Sequence, residues 1–156
     1  MAIQSGETTS YQAMRAIVQN GLVYNLDAGV DGSYSGTGTT WKDLTAKNYC
    51  DSTLVNGPTF DKNLGGQITL DGTDDKVTIP TIEYASPAAF TYSFLVKLGT
   101  SMGSEFPRII AGNDFDLEWT RYQNDHSLKF KWASSSPSEV YSNDDYFIPD
   151  EIHMYT

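Results

Sequence analysis

Residues 70–80 read LDGTDDKVTIP, two short apolar runs set around an Asp-Gly step and a pair of acids. In the second run Val77 and Ile79 alternate with Lys76 and Thr78, so one face can enter a core while the other meets water. A chain built from such units folds as antiparallel sheet. The pattern predicts a hairpin in which residues 76–79 pair with residues 67–70 across a turn at 71–75. The same period of two continues through the chain beyond Gly21, with candidate strands at 22–26, 53–56, 67–70, 76–79, 90–98, 108–111, 115–122 and 127–133. Turn signals separate them at Asp31-Gly32, Asn56-Gly57-Pro58, Gly65-Gly66, Asp71-Gly72 and Asn124-Asp125. Phe90, Tyr92, Phe94 and Val96 share one face, and Leu128, Phe130 and Trp132 another. With 13 glycines and 13% aromatic residues in 156, the chain suits one strand-rich domain of two packed sheets.

The period changes before Gly21. Tyr11, Met14, Ile17 and Val18 fall at helical spacing, with Ser10 placed to cap the start and Asn20-Gly21 to stop the run. Residues 1–20 are therefore expected to form a short helical arm ahead of a domain at 21–156. Those four apolar residues can pack on the domain or dock on a neighbouring subunit.

Four pieces of the chain, in order, carry a family resemblance: GLVYNLDAG from Gly21, GTTWKDL from Gly38, LVNGPTF from Leu54 and GGQITLDGTDDKV from Gly65. Together they resemble the laminin-G-like, concanavalin A-like lectin/glucanase domains found in structural proteins of tailed bacteriophages. The resemblance implies an all-β antiparallel jelly roll. It also implies a virion protein, of capsid surface, tail or fibre, assembled in the host bacterial cytoplasm with other virion proteins or copies of itself as partners. The final residues DEIHMYT resemble a strand after which such domains continue, so further strands are expected beyond Thr156 or from a partner. The fold hosts lectins and hydrolases as well as inert modules. A carbohydrate-binding adhesion module is thus the alternative, and a retaining β-glucan hydrolase the third reading.

Charge narrows the partners. Twenty acidic residues against ten Lys and Arg give a net charge of -10, and the basic residues are scattered, which disfavours nucleic acid. Cys50 is the single cysteine, so no intrachain disulfide forms. The opening MAIQSGETTS lacks the positive and apolar regions of a secretory signal, in keeping with a cytoplasmic origin. The longest apolar stretch, residues 90–98, is broken by Thr91, Ser93 and Lys97 and falls short of the ~20 residues of a membrane helix. No membrane partner is expected.

Three groups of residues could carry chemistry. Asp114, Asp116 and Glu118, in DFDLEW, resemble the E-I-D-I-E signature of laminarinase-type glycosidases, a resemblance that would make Asp114 the nucleophile and Glu118 the acid/base. The carboxyl groups of a retaining pair stand ~5.5 Å apart, whereas positions i and i+4 of a strand are separated by ~13 Å. Asp114 is also a methylene short of the family's Glu. Catalysis is therefore not expected. Asp71, Asp74 and Asp75, joined by Asp27 if the first strand lies beside their turn, form the one candidate calcium site; otherwise these acids simply build the turn. No other cofactor is implied, since His126 and His153 have no ligand-spaced companions. For surface glycans, the candidate patch is Tyr141, Asn143, Asp144, Asp145 and Tyr146, an aromatic and polar loop.

Overall fold

The computed structural model describes residues 20–45, 51–81, 91–99, 108–111, 117–122, 127–132, 139–142, 148 and 150–155. Every regular element among them is a β-strand except one 3-10 turn, and every ladder is antiparallel. The all-β antiparallel class expected from the period of two is what the described residues adopt. The chain divides into two compact units, Met1–Ala85 and Ser86–Thr156.

In the first unit, β1 (Thr40–Trp41), β2 (Ser52–Val55) and β5 (Lys76–Thr78) form a three-stranded sheet in the order β1-β2-β5. The intervening β3 (Thr59–Asp61) and β4 (Gln67–Thr69) pair with each other alone. Alternation sorts the faces of the larger sheet. Thr40, Thr53 and Thr78 lie in one cross-strand row and are all exposed. Ser52 and Leu54 are buried on the opposite face, Leu54 facing the half-buried Val77. β-Branched residues in such a row suit the pleat, and each cross-strand pair adds roughly 0.2–1 kcal/mol over alanines.

Two expectations are corrected in this unit. Residues 76–79 do not pair with 67–70: β5 joins β2, with Leu54 opposite Val77, and β4 turns back on β3, with Phe60 opposite Ile68. The turn at 71–75 exists, but the tighter reversal lies upstream, where the 3-10 turn Asn63–Gly65 ends on Gly65 and Gly66 at φ +88° and +92°. Those left-handed angles cost glycine nothing, and they fold β4 onto β3 before the acidic turn is reached. Period-two patterning marks a strand and its inner face without naming its neighbour. Residues 22–26, expected as a strand, are also not one. Their groups are taken by the loop that follows: Leu44 N–H donates to Asn25 O at 2.8 Å, and Asn25 N–H donates to the Asp43 carboxylate at 3.0 Å.

The second unit holds a four-stranded antiparallel meander, in the order β10-β9-β8-β7. It is built from β7 (Arg108–Ala111), β8 (Leu117–Tyr122), β9 (Ser127–Trp132) and β10 (Glu139–Tyr141), with a bulge between Arg108 and Ile110. A separate pair joins β6 (Phe94–Lys97) to β11 (Ile152–Tyr155), Tyr155 opposite Phe94. Leu98, Leu128 and Tyr155 are the buried centre, against which Phe94, Val96 and Ile109 pack; the Phe94 and Tyr155 rings lie 5.5 Å apart. Each such side chain taken wholly from water contributes about 1.5–3 kcal/mol. The shared inner face of Phe94 and Val96 is as the alternation predicts, and Phe90 lies outside the described residues. So does the segment carrying Tyr11, Met14, Ile17 and Val18.

Candidate functional site

The best-defined polar cluster is the acidic turn between β4 and β5. Its first residue organises it. One Asp71 carboxylate oxygen accepts the backbone N–H groups of Thr73, Asp74 and Asp75 at 2.8, 3.3 and 3.3 Å, and Asp71 N–H donates in return to the Asp75 carboxylate at 3.1 Å. Gly72, at φ +75°, supplies the left-handed step that lets these amides converge. The Thr73 amide above all, with the Asp75 and Asp74 amides adding to it and together outweighing the opposing desolvation, holds the Asp71 carboxyl below its ordinary value of 3.8.

One carboxylate oxygen from each of Asp71, Asp74 and Asp75 lies within 4.8 Å of the others, so the sequence's metal trio does assemble. Asp27 is not part of it. Its carboxylate accepts Gly29 N–H at 2.9 Å, and its own N–H donates to Ser33 Oγ at 3.2 Å. Calcium takes six to eight oxygens, and this trio offers three carboxylates that already receive N–H donors. The geometry is that of a turn stabilised by its own acids. Across from it, at the end of β2, the Asn56 side-chain amide donates to the Asp74 carbonyl at 2.9 Å and to its carboxylate at 3.0 Å. Asn56 thereby latches the turn to the strand that β5 joins.

Around the start of the first unit, side chains that the sequence did not single out do the same work. Asp43 is buried and its carboxylate accepts N–H groups from Asn25 and Thr45, each at 3.0 Å, and the Thr45 hydroxyl. Ser33, also buried, takes Asp27 N–H and donates to Lys42 O at 2.6 Å. The hydroxyls of Tyr24 and Ser52 share a hydrogen bond. Buried Tyr34 donates to Gly38 O at 2.8 Å and meets the Phe60 ring edge-on at 5.2 Å. Gly29 and Gly66 touch backbone to backbone: a β-carbon at Gly66 would stand 2.6 Å from Gly29 Cα, and one at Gly29 would strike the Gly65 carbonyl oxygen. An open cleft of about 220 Å³ lies here, with Phe60, Gly36 and Gly66 in its wall and Asp31 and Lys62 at its rim.

The remaining candidates are placed only in part. Asp114 and Asp116 lie outside the described residues. Glu118 is on β8, between Lys131 of β9 and Ala111 of β7 in register. Of the glycan patch, Tyr141 ends β10 opposite Lys129, so it is a strand residue rather than part of a loop. Asn143, Asp144, Asp145 and Tyr146 lie outside the described residues. No helix among the described residues is long and apolar enough to cross a membrane. Comparison with family models, with curated proteins and with solved structures found no match.

Proposed function

We propose that this chain is a non-catalytic structural or decoration component of a bacteriophage particle, on the capsid surface, in the tail or in a fibre, built on a concanavalin A-like jelly roll. One observation carries the reading. The four sequence pieces that resemble phage structural domains are tied to one another: the first to the second through Asn25 and Asp43, the second to the third by Leu54 N–H donating to Thr39 O, and the first to the fourth where Gly29 meets Gly66. Their polar side chains hold backbone rather than converge on a reaction centre. That is what a scaffold module requires of its motifs.

In this role the chain is made in the bacterial cytoplasm and joins other virion proteins or copies of itself, with residues 1–20 as the docking arm. Peptide mass spectrometry of particles purified from the source tests it. Stoichiometric recovery of peptides spanning residues 21–78 with the particles supports the proposal, and their confinement to the soluble lysate overturns it.

A second reading, carbohydrate adhesion, draws on the open cleft beside Phe60. An aromatic side chain flanked by Asp31 and Lys62 suits a sugar ring with its hydroxyls. A glycan array separates the two, since adhesion requires a signal that Phe60→Ala abolishes.

A further inference from the structure

We propose that Asn56 is a site of spontaneous deamidation whose rate is set by its latch to Asp74. Asn56 and Gly57 are both exposed at the end of β2. Glycine on the carboxyl side has no β-carbon to block its backbone nitrogen. That nitrogen, once deprotonated, attacks Asn56 Cγ; a new C–N bond closes a five-membered imide, the Cγ–Nδ2 bond breaks, and the amide nitrogen leaves as ammonia with the proton. Water then opens the ring to aspartate or isoaspartate. No oxidant, metal or further protein group is needed.

The departing nitrogen is the atom that makes the latch. Nδ2 donates to the Asp74 carbonyl at 2.9 Å and to its carboxylate at 3.0 Å, and both bonds must break before the side chain can swing onto Gly57 N. Conversion then removes the donor of both bonds and places an acceptor against two acceptors. It also sets a fourth carboxylate beside Asp71, Asp74 and Asp75, whose oxygens already lie within 4.8 Å of one another. Like charges so close repel, and the acidic turn separates from the end of β2. The modification is thus self-propagating in its local effect: the product cannot remake the contact that slowed its formation.

The chain contains its own reference. Asn20-Gly21 is a second Asn-Gly step, in an exposed turn with Gly21 at φ +84°, and Asn20 makes no side-chain hydrogen bond to another described residue. The full chain is incubated at mildly alkaline pH, and amide-to-acid conversion at each site is followed by peptide mass spectrometry. Both sites convert, and Asn56 is slower than Asn20 by about threefold to tenfold, the range that exposed hydrogen bonds of this kind produce. Asp74→Ala removes the carboxylate acceptor and raises the Asn56 rate about threefold with Asn20 unchanged, whereas Asp74→Asn, which retains an acceptor oxygen, keeps it slow. Circular dichroism of both variants separates a released latch from an unfolded chain, in which Asn20 would no longer serve as a constant reference. Absence of conversion at Asn56 while Asn20 reacts, or equal Asn56 rates in the native, Asp74→Ala and Asp74→Asn chains, overturns the proposal.

Discussion

Asp43 illustrates how one side chain can substitute for a strand. Residues 22–26 have the alternation of a β-element, yet their backbone finds its partners in a buried carboxylate and in Leu44. Three donors converge on that carboxylate, and removing it strands them away from water. Asp43→Ala is expected to lower stability by about 2–4 kcal/mol, with Asp43→Asn costing less because it keeps one acceptor; urea denaturation measures both. Gly66 depends on space and angle together. At φ +92° with Gly29 Cα in the way, Gly66→Ala combines left-handed strain with overpacking and should cost roughly 3 kcal/mol, read as a shift in the urea midpoint at unchanged slope.

Among elements, the acidic turn and β2 decide how the first unit is wired. Leu54 is the most buried apolar side chain of the larger sheet at 4% exposure, and it faces Val77 across the β2–β5 ladder. Leu54→Ala is expected to cost about 2–4 kcal/mol, whereas Thr53→Ala on the exposed row should cost under about 1 kcal/mol. The turn itself responds to acid. The Asp71 carboxyl titrates below 3.8 in the folded chain, so its contribution is complete above that value and is lost as the pH falls through the lower folded value. The stability difference between the native chain and Asp71→Asn should therefore be present at neutral pH and shrink as the pH drops below 3.8. A difference independent of pH would show that Asp71 acts through its shape alone.

For the whole molecule, the second unit has two contrasting sheet faces. Phe94 and Tyr155 turn inward, while Leu95 and Met154, opposite each other in register, are 71% and 69% exposed. Leu95→Lys should leave stability within about 0.5 kcal/mol of the native chain, because it removes no buried contact. Phe94→Ala, which removes a partly buried ring packed on the core, should cost about 2–3 kcal/mol. Deleting residues 1–20 tests the arm at the same scale. The proposed docking role predicts loss of incorporation into particles with the far-ultraviolet dichroism of the sheets retained, and unchanged incorporation would remove the arm from the account of assembly.

Residue order alone was enough to determine the all-β class, the strands at 108–111 and 127–132, the strand at the end of the chain and the gathering of Asp71, Asp74 and Asp75, because each follows from local alternation or from a turn whose donors and acceptors lie within five residues. Tertiary structure decided the rest. It paired β5 with β2, since a period of two is satisfied by any neighbour with a complementary face. Short elements such as β1 and β3 form only against their partners β2 and β4, and two or three residues hold too little periodicity to read. Asp27 left the acidic trio to cap Gly29, Asp43 went inside, and Asn56 reached across 18 positions to Asp74, all for one reason. A polar side chain's role is set by which backbone groups the fold leaves needing a partner, and that need arises only once the strands have been placed.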